Sequence, residues 1–340
     1  MPVISVIVPT LNEEQDLPVL LKSLQAQTFK DFEVIVADAG SKDRTKQIAR
    51  TLGAKVVKGG MPGVGRNRGA EKAKGEFLFF FDADVELPPN FLKDALAEMD
   101  EKFIDLATCE FKPKSDYRLD EMMFRFSNLI VKMNQDINPR AAGFCIFITS
   151  RLFRRVGGFD ESLKLAEDHD LVQRAAKFRP LKFLETVELF VSIRRLEKEG
   201  RFALVQKYAQ VEMHLMFKGN VREDVVEYEF GNFNTEKDSG FLDDIEKRII
   251  HLEKVYNEFQ RGIEGDSKKK PALLDKWKSG LDAALKAFAP LAAKAPAAIA
   301  NQSASVSGVA AQRKTTPKTA AKAGAKTSKP AAKKKAVKKK

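Results

Sequence analysis

Cysteine, histidine and tryptophan are scarce in this chain: of 340 residues, two are Cys, three His and one Trp. Cys109 and Cys145 sit in apolar runs without C-x-x-C spacing, which excludes a disulfide-stapled scaffold and fits two buried thiols in a reducing compartment. The scattered histidines argue against an imidazole-rich metal centre; His214 is the single candidate for an extra ligand, and a structural or solvent-facing histidine is the simpler reading. No apolar stretch reaches about 18 residues, so no membrane-spanning helix is expected, and the chain opens into an apolar strand rather than a leader. These absences lead to the expectation of a cytoplasmic protein. Acid is missing from one region. Residues 301–340 hold 12 Lys or Arg and no Asp or Glu, and the other 47 basic residues balance 47 acidic ones, so the formal charge of +12 belongs to that tail.

The tail is built of Ala, Lys, Thr, Ser and Pro with no aromatic residue. Such a segment cannot bury a core and is expected to be disordered. Its charge suits anionic lipid headgroups, nucleic acid or an acidic protein, so a peripheral position at the cytoplasmic face of a membrane and a nucleic-acid contact are both open.

What the chain does have is alternation. The run VISVIVPT reads as a buried strand followed by a leucine-periodic helix (Leu17, Leu20, Leu21, Leu24) with Asn12 as its N-cap. Residues 32–36 form a second strand ending at Asp38, and 54–57 a third, followed by the glycine-rich 59–69. The fourth, EFLFFF, delivers Asp82 and Asp84 at its far end. Strand and helix alternating four times predict an α/β fold with a mainly parallel sheet. Thr10 to Glu13, Asp38 and Asp82 to Asp84 then fall at the carboxyl edge of the strands, where ligands bind in such sheets. Paired aspartates at that edge suit a divalent cation carrying a phosphate-bearing ligand, because hard cations take oxygen ligands. Spacing alone does not single them out, since Asp168-His169-Asp170 repeats it.

Four stretches in order, ISVIVPTLNEE, VIVADAGSKDRT, GRNRGAEKAKGEFLFFFDAD and GGFDESLKLAEDHDLVQR, resemble the family 2 glycosyltransferases, over roughly the first two hundred residues. The resemblance implies a GT-A, Rossmann-like fold and inverting transfer of a sugar from a nucleotide-diphospho-sugar to an acceptor hydroxyl on a lipid or glycan, with Mn2+ or Mg2+ as cofactor. It implies that Pro9, Thr10, Asn12 and Glu13 wall the nucleotide base and that Asp38 accepts a hydrogen bond from it. It places Arg66 near the nucleotide, Asp82 on the ribose side and at the metal, and Asp84 as the direct metal ligand. Glu167-Asp168 supplies the catalytic base, Asp168, although acid in a first helical turn is also what the helix dipole favours. Arg194-Arg195 would reach the diphosphate; Leu196 and Glu197 follow where processive relatives carry tryptophan, which weighs against a polymerase. Ala39 stands where many relatives have a second aspartate.

Three domains are expected: a catalytic domain over 1–220, a helical extension over 221–300 and the tail over 301–340. Within the extension, apolar residues from Leu242 to Ile263 repeat at 3-4 spacing, as in a coiled-coil dimer seam over 241–263 or a helix packed on its own domain. A weaker helix is expected over 273–288. Residues 117–134 form an amphipathic helix suited to the core or to a lipid-facing lid. Two other readings are a non-catalytic nucleotide-sugar-binding protein and an anionic-surface or nucleic-acid binder acting through the tail.

Overall fold

The computed structural model describes residues 2–136, 138–199, 246–247, 249–251, 253–254 and 257. All of these belong to one compact unit, Met1–Ala293. The expected domain boundaries at 220 and 300, His214, the 273–288 helix and the basic tail lie outside the described residues.

The elements run in the order β1 (Ile4–Thr10), α1 (Leu17–Gln25), β2 (Phe32–Asp38), α2 (Thr45–Thr51), β3 (Lys55–Lys58), α3 (Pro62–Lys72), β4 (Phe77–Phe80), β5 (Val85–Glu86), α4 (Phe91–Glu101), β6 (Leu106–Pro113), α5 (Arg118–Asn134), β7 (Ile146–Thr149), α6 (Ser150–Arg155), α7 (Glu167–Ala176), β8 (Lys182–Val191) and α8 (Arg194–Glu199). The strands form one sheet in the order β3-β2-β1-β4-β7-β6-β8-β5. Strands β3, β2, β1 and β4 are parallel, as the alternation predicts. Beyond β4 the sheet is mixed, with β7 antiparallel to both β4 and β6, and β5 antiparallel to β8. The chain leaves β6 at one edge, runs through α5 and re-enters β7 from that same edge, which forces the antiparallel pairing.

Apolar side chains on both faces explain why β1 and β4 are unbroken hydrophobic runs. Successive residues point to opposite faces. Ile4, Val6, Val8, Phe77, Phe79 and Phe81 join one core layer, while Ile7, Leu78 and Phe80 join the other. Phe81 packs edge-on to Phe91 at 5.8 Å, and Phe80 edge-on to Phe159 at 5.2 Å. Each of these rings is fully buried, worth roughly 1.5–3 kcal/mol apiece, so the strand end that carries Asp82 is clamped from both sides.

Asn12 is not the N-cap of α1. The helix starts at Leu17 after Asp16, and Asn12 lies in the left-handed region at φ 57°. Asparagine tolerates that conformation, and its Oδ1 accepts from the Lys42 amide while its own amide donates to Ser41 Oγ, bracing the loop after β1 against the loop after β2. The expected amphipathic helix is α5, whose Leu119, Met122, Leu129 and Met133 are buried. The described part of the 241–263 stripe packs on the same chain: Ile249 is buried, and Glu246 and Glu253 pair with Arg118 and Arg125, seven residues apart on α5. Among the described residues, no helix is long and apolar enough to cross a membrane.

Candidate active site

At the carboxyl edge of the parallel strands the first wall comes from the loops after β1 and β2. Thr10 Oγ1 donates to Asp38 Oδ2 at 3.4 Å, and Asp38 Oδ1 accepts from the amides of Gly40 and Ser41 at 3.0 and 2.9 Å. Asp38 therefore shapes the turn with one oxygen and keeps capacity on the other. Pro9 is the penultimate residue of β1, paired with Ala37, and the Glu13 amide donates to Thr45 Oγ1 at 2.8 Å, tying the loop to α2.

The second wall is acidic. Asp84 lies between β4 and β5, and its carbonyl accepts from the Ser192 amide at 2.8 Å, which brings the end of β8 and Arg194 to the site. Burial pushes the Asp84 carboxyl up to about 7, with Asp82, Glu13 and Asp16 adding like-charge repulsion. Burial also raises Glu13, against the pull of Arg194. Arg194 Nη2 meets Glu13 Oε2 at 2.9 Å and Asp16 Oδ2 at 2.5 Å. Arg195 follows it on α8.

The third wall is the first turn of α7. Ala166, at its N-cap, adopts the left-handed conformation at φ 59°, an unusual geometry for a residue with a Cβ that costs on the order of 1–2 kcal/mol. It delivers Glu167 and Asp168 together. Asp168 Oδ2 accepts from the Gly143 amide and Oδ1 from the His169 amide, both at 2.8 Å, so its carboxylate is held in one orientation. Glu167 is buried, and burial together with the neighbouring Asp168 raises its pKa against the opposing charge of Arg66. Arg66, on α3, joins the walls: Nη2 donates to Asp82 Oδ1 at 2.8 Å and Nη1 to Glu167 Oε1 at 2.7 Å.

The family resemblance implies a divalent cation, and this acidic lining offers the hard oxygen donors that such a cation takes. Glu13, Asp16, Asp82 and Asp84 concentrate more negative charge than Arg66 and Arg194 offset, and burial first, then that like charge, raises the Asp84 carboxyl. Among the described residues no three such side chains already form a closed ligand set. One or two carboxylates with the remaining positions left to phosphate and water is a usual arrangement for Mg2+.

The profile of the glycosyl transferase family 2 matches residues 5–156. This segment belongs to glycosyl transferase family 2. The family segment carries three of the four motifs, and the α7 carboxylates lie beyond it. Over about 180 residues the chain is 35% identical to a poly(ribitol-phosphate) beta-N-acetylglucosaminyltransferase, TarS, of Staphylococcus aureus, covering 50% of this chain and 32% of that protein. It is 30% identical to an uncharacterized glycosyltransferase of Rickettsia typhi over 184 residues, covering 50% of this chain and 57% of the other. The chain thus spans 57% of the length of the Rickettsia relative and 32% of that of TarS. Among solved structures, a mannosyltransferase from Pyrobaculum calidifontis in complex with GDP-Man and Mn2+ superposes with a TM-score of 0.51 at 20% identity, covering 92% of this chain and 81% of that one, a likeness of fold.

Two participants were not read from the sequence. Asp16 stands where an ordinary helix cap would stand, and Gly143 lies in AAGF, which carries no motif. Only the folded chain puts them against Arg194 and Asp168.

Proposed function

We propose that this protein transfers a sugar from a nucleotide-diphospho-sugar to an acceptor hydroxyl, lipid-linked or on a glycan, by a single inverting displacement. The observation that carries the reading is the convergence of Asp82, just beyond β4, with Glu167, the neighbour of Asp168, across Arg66. A family 2 segment and relatives named as glycosyltransferases support it.

In this reading Pro9, Thr10, Asn12 and Glu13 line the base, and the free capacity of Asp38 Oδ2 receives an N–H of the base. Asp84, with Asp82, would hold Mn2+ or Mg2+, which when bound supplies neutralisation of charge on the departing diphosphate. Arg194 and Arg195 flank the diphosphate, Arg194 exchanging its carboxylate partners for phosphate. Asp168, fixed by two amides, takes the proton of the acceptor hydroxyl as that oxygen attacks the anomeric carbon, while Glu167 beside it helps position the acceptor. A single displacement requires no protein nucleophile, and none is assigned.

Asp84→Ala tests the donor side. Calorimetric titration with UDP-N-acetylglucosamine and GDP-mannose should show Mn2+-dependent binding of at least one donor to the wild type and none to the variant. Undiminished Mn2+-dependent binding to the variant would remove Asp84 from the site.

A further inference from the structure

Arg66 is a buried cation, 3% exposed, gripping two carboxylates that lie 16 and 101 residues away in the chain. Its guanidinium also faces the Phe159 ring, 5.5 Å from the centroid. A guanidinium presents its donors in a rigid planar fork, so two carboxylates bound to one head are held at a fixed separation; an ammonium cannot do this. The packing around it leaves no slack. A Cβ added at Gly143 would lie 2.5 Å from Arg66 Nη2 and 2.9 Å from Cζ, and one added at Gly63 would lie 3.2 Å from Glu167 Cγ. The amide of Gly143 is the donor that orients Asp168 at 2.8 Å. One guanidinium therefore touches the strand-end carboxylate, the α7 carboxylate and the loop that holds the base. Each terminal nitrogen donates to a carboxylate, and the unpartnered Nε is buried beneath them, out of reach of a ligand that stays in the solvent-facing cleft.

We infer that Arg66 is a positioning residue that sets the donor half of the site, through Asp82, in register with the acceptor half, through Glu167 and the Gly143–Asp168 contact, rather than a phosphate ligand. The inference rests on the glycosyl-transfer reading. It predicts that disturbing the guanidinium damages turnover more than donor binding, because a misplacement of about 1 Å between reacting groups can cost about 10²-fold in rate.

The test uses full-length protein, Mn2+ and UDP-N-acetylglucosamine or GDP-mannose, following nucleoside diphosphate release and, separately, donor binding by calorimetry. Arg66→Lys keeps the charge and loses the fork; turnover should fall about 10²-fold while donor affinity changes less than about threefold. Gly143→Ala removes no polar group and crowds the guanidinium; it should give the same split, with a loss of about tenfold or more. Should the lysine variant not fold, the alanine variant carries the test. Donor affinity weakened tenfold with turnover per bound donor intact would make Arg66 a phosphate ligand and overturn the inference, as would two folded variants with wild-type kinetics. A wild type that turns over neither donor counts against the transfer reading instead. The positioning claim is then decided by urea unfolding of Asp82→Asn, Glu167→Gln and their double variant: coupling that vanishes in the Arg66→Lys background supports it, and strict additivity with Arg66 present overturns it.

Discussion

Replacing Asp84 by asparagine should make the metal-free protein more stable while removing its activity. The carboxyl is raised from 3.8 to about 7 by burial and by repulsion from Asp82, Glu13 and Asp16. A folded-state pKa above the unfolded value means that the native protein holds an extra proton between pH 3.8 and about 7. Ionising the group therefore costs nothing below that window and its full penalty above it. A shift of about three units at 1.36 kcal/mol each sets an upper bound of about 4 kcal/mol. Asp84 keeps part of its surface in water, and screening reduces this to about 1–2 kcal/mol. Asparagine preserves the shape and removes the charge, so Asp84→Asn should raise the melting temperature in EDTA at pH 7.5 by about 2–8 °C for a domain of this size. The gain should shrink to nothing near pH 4, and Mn2+ should raise the melting temperature of the wild type alone. Differential scanning fluorimetry across pH 4–8, with and without Mn2+, reads all three. A variant less stable than wild type at pH 7.5, or a gain equally large at pH 4, would refute the electrostatic account of this carboxylate.

Truncating Phe80 to alanine removes a ring wedged against Phe153 and Phe159 and should cost about 3–5 kcal/mol in chemical denaturation; a loss below about 1 kcal/mol would show that this core layer is loose. Arg194→Ala frees Glu13 and Asp16 of their shared cation, so metal-free stability at pH 7.5 should drop and donor affinity should weaken; calorimetry showing unchanged affinity would detach Arg194 from the diphosphate. Cutting after Asn301 removes the 12 basic residues of the tail. Each lysine near an anionic surface contributes at most about 1 kcal/mol. The truncated protein should keep its soluble-donor chemistry and lose cosedimentation with anionic vesicles or DNA, and added salt should mimic the cut. A full-length protein that ignores both surfaces would assign the tail to another partner.

The sequence was most legible where a feature is local. The strands β1, β2 and β4 appear as apolar runs bounded by Pro9, Asp38 and Asp82, and the order of elements implied the parallel half of the sheet. The antiparallel half was not legible, because a buried strand such as β7, IFIT, has the same composition whichever way it runs. Asp82, Asp84, Glu167 and Asp168 stood out as carboxylates at the ends of apolar elements. The role of Arg66 did not, since its partner Glu167 is 101 residues away and an arginine after a glycine-rich turn looks like a phosphate ligand or a surface charge. Asn12 misled for the opposite reason: its type suits both a helix cap and a left-handed loop position, and contacts with Ser41 and Lys42, 29 and 30 residues away, decide between them.

In the proposed reaction Asp168 takes the proton of the acceptor hydroxyl, while the rest of the site binds the donor. A base acts in the transition state and contributes little to ground-state binding, and a positioned carboxylate is worth about 10²–10⁴-fold in proton transfer. The direct measurement compares wild type and Asp168→Asn with the same nucleotide-sugar and Mn2+, recording donor affinity by calorimetry and nucleoside diphosphate release in the presence of acceptor. Matching affinities and a turnover lowered at least about 10²-fold in the variant are expected. Equal loss of binding and turnover, or turnover that survives the substitution, would contradict the proposed role of Asp168.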